Sequence, residues 1–396
     1  MVRFGVVVLA FVSACYHPSY RDCDIACSEP AACPSGLTCD MNMHRCTSGA
    51  ACTTSDASDA MPDVDTSCWP MAVTNFDPCN AATFPAAMES IDTTNMPSYM
   101  IDTNDPTCSY AFGAETYCLR HVVSMHVASG FPITVVGSNP LIIVSDNDIV
   151  TEDTITASAI AAPRSNSCTA RPGPAENSAG GGAGGGMRLA GGDGGASGTG
   201  NKTPGGTAIG TAMLSPLVPG CPGADGGVGG ATAGGVGGYG GGAVQLDSKT
   251  SIGIEATVIV AGGGGRPGAL GASSRMSGGG GGGAGGAILL EAPMIGVSPA
   301  GKLCAPGGGG GQGGLATGAA VAGMTSTTCT AAPGGTGGSC GPGGFGSIDA
   351  ATPGGAGGAG QSNTCAGGGG GGAPGRIHLH ASSTPTLNGV VLPAPQ

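Results

Sequence analysis

The chain has 396 residues, long enough for two or three domains, yet only 10% are charged and 4% aromatic while 82 are glycine. A formal charge of −12 with only three lysines, Lys202, Lys249 and Lys302, leaves no basic stripe to track phosphates, which excludes nucleic acid as a partner. Glycine and proline exceed a quarter of the residues, a level that signals low complexity. Mean hydropathy is nevertheless slightly positive, and the glycine lies mostly after residue 179, between apolar strand-like runs, so part of this chain folds.

The first residues are Met1-Val2-Arg3, followed by an apolar run from Phe4 to Val12. That run is too short for a bilayer, which needs ~20 apolar residues, and suits the apolar core of a secretory signal. It closes with Val12-Ser13-Ala14-Cys15, which resembles the lipobox of bacterial lipoproteins. The resemblance implies a signal peptide over 1–14, lipidation of Cys15, and a membrane reached through that lipid anchor. Tyr16 follows, where an aspartate would argue for inner-membrane retention, so the expected location is the cell envelope, at the outer membrane or cell surface.

Setting Cys15 aside leaves an even number of cysteines, which an oxidising compartment would allow to pair. The candidates are Cys23, Cys27, Cys33, Cys39, Cys46, Cys52, Cys68, Cys79, Cys108, Cys118, Cys168, Cys221, Cys304, Cys329, Cys340 and Cys365. Their connectivity is left open. Residues 15–52 read as a small disulfide-rich module, with a turn at Cys33-Pro34-Ser35-Gly36-Leu37-Thr38-Cys39. It is similar to small EGF-like modules without matching their spacing, and reads as a stapled spacer or a binding module. A Ser/Asp/Ala-rich flexible linker is expected over 53–66, and a β-rich cap segment over 67–130.

From 131 to 396 an internal repeat dominates. Leu141-x-Ile143 is followed at six-residue steps by Ile149 and Ile155, and Val244-x-Leu246 by Ile252 and Val258. Ile288-x-Leu290 leads to Ile295, Val297 and Leu303, and Ile377-x-Leu379 to Leu387 and Val391. Short strands that cannot bury their own inner face must stack on neighbours. The fold expected is therefore all-β: a parallel β-helix, or solenoid, with an antiparallel sandwich as the alternative.

Three glycine-rich insertions interrupt it, at about 160–241, 261–286 and 305–375. Gly-Gly-X recurs in threes there, as at Asp225, Val228 and Ala231, then Ala233, Val236 and Tyr239, and again at Pro353, Ala356 and Ala359. Three residues per turn is the period of an extended polyproline-II helix, which for glycine is a polyglycine-II-like arrangement. Ordering a residue costs ~1–2 kcal/mol and a hydrogen bond returns ~0.5–1.5 kcal/mol. Composition alone leaves ordered packing and floppy loops both open.

Motifs for chemistry are sparse. Gly-x-Gly-x-x-Gly matches carry no weight in so glycine-rich a chain, and no Gly-Lys-Ser/Thr follows a glycine tract. Gly191-Gly192-Asp193 is a lone match to calcium-binding glycine repeats. His378 and His380 share one strand face and read as surface histidines. Asp146, Asp148, Glu152 and Asp153 read as a solvent-facing edge in preference to a calcium site. Neither a metal nor a cofactor is expected.

The expectation is a non-catalytic cell-envelope protein, structural or adhesive, with cell-surface or cell-wall polysaccharide as a candidate partner. The glycine-rich half is similar in composition to PE-PGRS-like surface proteins, without the helical N-terminal domain that defines that family. The alternative is a protein that binds or cleaves polysaccharide, which would need carboxylates and basic groups converging on an exposed face.

Overall fold

The computed structural model describes residues 33, 37–40, 45–47, 68–96, 98–158, 168–175, 179–197, 200, 202–230, 232–269, 275–316, 318–337, 340–360 and 365–396. The chain divides into two compact units, Met1–Val64 and Asp65–Gln396. The lipobox with Cys15, Cys23, Cys27 and Cys52, and the expected linker at 53–66, lie outside the described residues.

In the first unit, β1 (Thr38–Asp40) and β2 (Arg45–Thr47) pair antiparallel, with Cys39 opposite Cys46. Cys33 bonds Cys46, which is fully buried, and Cys39 is disulfide-bonded as well. Covalent closure takes the place of an apolar core that so few residues cannot form.

The second unit opens with β3 (Ile91–Asp92), β4 (Tyr99–Asp102), β5 (Ser109–Phe112), β6 (Glu115–Val122), β7 (Met125–Val127) and β8 (Ile133–Val136). Then come β9 (Leu141–Ser145), β10 (Ile149–Thr151) and β11 (Ile155–Thr156), followed by β12 (Ala243–Ser248), β13 (Ser251–Ile254) and β14 (Thr257–Ile259). The last six are β15 (Ala287–Ala292), β16 (Met294–Val297), β17 (Lys302–Cys304), β18 (Arg376–Ala381), β19 (Thr386–Leu387) and β20 (Val390–Leu392).

These strands form three six-stranded sheets, ordered β18-β15-β12-β9-β6-β5, β19-β16-β13-β10-β7-β3 and β20-β17-β14-β11-β8-β4. The pairings are parallel except for β5 with β6. The repeated apolar positions stand in register: Leu141, Val244, Ile288 and Ile377 form one row, and Ile155, Val258, Leu303 and Val391 another. Alternation sends these side chains into one shared apolar core drawn from all three sheets.

This corrects the fold expected from the sequence. The strands build three stacked sheets and not a closed parallel β-helix, nor an antiparallel sandwich. A six-residue apolar spacing fixes strand length and the buried face, which all three architectures share; it carries no information about closure. The chain also leaves the sheets between β11 and β12, between β14 and β15, and between β17 and β18, where the glycine-rich intervals lie.

In those intervals backbone hydrogen bonds join the segments, while Met187, Ile209, Leu214 and Leu217 reach an apolar cluster with Ile142, Val144 and Leu289. Segment 276–286 lies among six others, and its donors sort by threes. Gly279, Gly282 and Gly285 donate to the carbonyls of Gly367, Gly370 and Ala373; Gly278, Gly281 and Ala284 donate to Gly227, Ala224 and Cys221; Gly280, Gly283 and Gly286 donate to Arg266, Gly263 and Val260. It accepts in the same rhythm, from Gly182 and Gly185, from Gly235, Gly238 and Gly241, and from Gly308, Gly311 and Gly314. Glycine is obligatory at this density: a methyl group on Gly281 would press into the Ala183 carbonyl, and one on Gly282 into that of Gly308. Larger side chains appear where a segment meets solvent, as at Val236, Tyr239, Met324 and Phe345. Cys168–Cys221, Cys304–Cys329 and Cys340–Cys365 close these segments covalently, lowering the entropy lost when they order.

Candidate functional site

Alternation gives the first sheet a second, outward face. Val244 and Leu246 of β12 point into the core, so Gln245 and Asp247 point away from it. The same logic turns out Leu289 and Glu291 of β15, and His378 and His380 of β18. In-register pairing then sets Asp247 beside Glu291 and Glu291 beside His380, one inter-strand spacing apart.

A segment stapled by Cys68–Cys79 covers this face. Its Trp69, Met71 and Phe76 pack with Leu119, Ile142, Val144 and Leu289 in a second apolar cluster. Asn75, in the left-handed region at φ 65°, a conformation asparagine tolerates, turns its side chain onto the sheet. Its Nδ2 donates to Gln245 Oε1 at 2.9 Å and to the Leu214 carbonyl at 2.9 Å, and its Oδ1 accepts from Leu217 N at 3.2 Å.

Thr74 binds the neighbouring carboxylate. Its backbone N and its Oγ1 donate to Glu291 Oε2 at 3.0 and 3.2 Å. Gln245 Nε2 donates to the same Oε2 at 2.9 Å, to the Thr74 carbonyl at 2.9 Å and to Asp247 Oδ1 at 3.3 Å. His380 Nδ1 lies 3.2 Å from the other oxygen, Glu291 Oε1. Gln245 and Asp247 are fully buried, and Glu291 and Asn75 nearly so.

The electrostatics follow from that burial. Desolvation, reinforced by the charge of Glu291, pushes the Asp247 carboxyl well above its ordinary range. The hydrogen bond to Glu291 raises His380, against the opposing effect of its partial burial. A hydroxyl, two carboxamides and two acids therefore meet in a buried cluster, with the part-exposed His380 imidazole at its edge.

Beside it, Asp146 Oδ1 contacts Lys249 Nζ at 2.6 Å and His121 Nε2 at 3.1 Å, and Lys249 lies 5.1 Å from the Trp69 ring centroid. Burial pushes Asp146 up, but its bonds to Lys249 and His121 prevail and leave it below the usual carboxylate range.

The acidic residues singled out in the sequence do not converge. Asp148 binds Thr250 and Ser251, Glu152 faces His126 at 3.5 Å, and Asp153 accepts from Gly130 N at 2.6 Å. Among the described residues no group of three or more His, Cys, Asp or Glu is arranged to hold a metal. His378 corrects the expectation of a surface histidine. It is buried, with Nδ1 2.6 Å from the Gln396 carbonyl oxygen, and Gln396 Oε1 in turn accepts from Arg376 Nη1. Cys68–Cys79 and Cys108–Cys118 complete the disulfides seen among the candidate cysteines.

Thr74, Asn75, Gln245, Asp247 and Glu291 carried no motif in the sequence. The available signal was polar residues at outward positions of otherwise apolar strands, in AVQLDS and AILLEA. A shallow depression of about 250 Å³, lined by Ala331, Phe345, Ile348, Asp349 and Pro353, shares no residue with the cluster. Among the described residues no helix is long and apolar enough to cross a membrane. No protein-family model matches the chain, and neither a curated protein nor a solved structure matches it.

Proposed function

We propose that the chain is a non-catalytic, lipid-anchored protein of the bacterial cell envelope, structural or adhesive, whose glycine-rich body is a rigid displayed element. The observation that carries this reading is the interlocked backbone of the glycine segments, closed by disulfides that an oxidising compartment permits. The acid-bearing cluster supports it too. Its carboxyls lie beneath the 68–79 segment, where a polymer chain cannot reach them, whereas cleavage of a polysaccharide needs an open face. Cys15 supplies the anchor, at the outer membrane or cell surface.

Replacing Cys15 with alanine and fractionating the cells tests this. The wild-type chain is expected with the membranes and Cys15→Ala in the soluble fraction. Equal membrane retention of both would contradict a lipid on Cys15.

A further inference from the structure

The enclosed cluster under the 68–79 segment has the composition of a reaction centre with both reactants built in. Thr74 Oγ1 is a nucleophile and Gln245 Cδ an electrophile, and two groups bracket the pair. Glu291 Oε2 is 3.2 Å from Thr74 Oγ1 and 2.9 Å from Gln245 Nε2. Asn75 Nδ2 is 3.3 Å from Thr74 Oγ1 and 2.9 Å from Gln245 Oε1. We propose that Thr74 and Gln245 form an internal ester cross-link, Thr74 Oγ1 to Gln245 Cδ, with release of ammonia.

The step balances without any added reagent. Glu291 Oε2 accepts the Thr74 hydroxyl proton as Oγ1 bonds to Cδ, and negative charge develops on Gln245 Oε1. Asn75 Nδ2 donates to that oxygen, as a donor aimed at developing charge must. The C–N bond then breaks, and the proton on Glu291 passes to the leaving nitrogen 2.9 Å away, giving NH3 and restoring the carboxylate. Nothing is oxidised or reduced, and no external substrate is turned over. Fixed geometry replaces a bimolecular encounter, and burial of Gln245, Asp247 and Glu291 withholds the water that would hydrolyse the product.

The bond would tie the 68–79 segment to β12 across 171 residues of sequence, where no disulfide does so among the described residues. The inference is independent of where the protein is displayed.

The test is a digest of the folded, purified wild-type chain after denaturation and reduction. Trypsin releases Thr74 in fragment 46–120 and Gln245 in fragment 203–249. The expected product is one joined species, lighter than the two fragments together by one ammonia. It resists reducing agent and is split by alkaline hydroxylamine. Thr74→Val and Glu291→Gln are expected to give separate fragments, and Thr74→Ser to restore the joined one. Recovery of both fragments from the wild-type chain, separate and at full mass, would overturn the proposal; this arm stands even if a variant fails to fold.

Discussion

At Glu291 the first sheet, the covering segment and the His380 imidazole meet, so its surroundings bear on how this region responds to pH. His380 is raised above its ordinary value by the Glu291 hydrogen bond. A group raised on folding contributes stability that is fully present below its unfolded pKa, near 6.5, and is lost as pH rises through the folded value. Unfolding midpoints in denaturant are therefore expected to fall as pH rises above about 6.5, and His380→Asn is expected to remove that slope. An unchanged slope in the variant would disconnect His380 from the effect. This residue-level chemistry was hardly legible in the sequence. Thr74 and Asn75 lie some 170 residues from Gln245, and no local spacing announces a meeting over that distance. His378 was misplaced for the same reason: its partner is Gln396, 18 residues further on, and no periodicity of β18 announces it.

Glycine serves two different purposes in the elements. In segment 276–286 it is imposed by neighbouring carbonyls, so a side chain must displace the backbone around it. On the outer face of β16, a Cβ at Gly296 would meet nothing within 4 Å, and the residue is not in the left-handed region. Gly296→Ala is therefore expected to be neutral or to stabilise by about 0.4–1 kcal/mol, by restricting the unfolded chain. Gly282→Ala is expected to destabilise by an overpacking penalty of about 1–3 kcal/mol or more. Equilibrium unfolding of the two variants checks the contrast, and equal effects would deny that the glycine segments are closely packed. The apolar spacing of Val244, Leu246, Ile252 and Val258 was enough to read short strands and their buried face from the sequence. The Gly-Gly-X period was visible as well. Which segment each amide bonds was not, because glycines carry no side chain to encode a partner.

Among the described residues, apolar burial centres on the sheets and on the second cluster that Trp69, Met187, Leu214 and Leu217 join, while the glycine segments are tied by amides bonded between segments far apart in sequence. That division explains why composition alone left order and mobility both open: bonds between glycine amides leave no apolar pattern in the sequence. Closure of the sheets was beyond the sequence too, since a six-residue repeat suits a helix and a stack equally. A rigid glycine body requires that those amides hold as a cooperative lattice. Hydrogen–deuterium exchange followed by mass spectrometry on the native chain measures this directly, comparing peptides from 276–286, 307–314 and 366–373 with those from β9, β12 and β15. Protection in the glycine peptides of the same order as in the strands is the predicted result. Exchange of the glycine peptides at the rate of unstructured chain, with the strands still protected, would contradict a rigid glycine body.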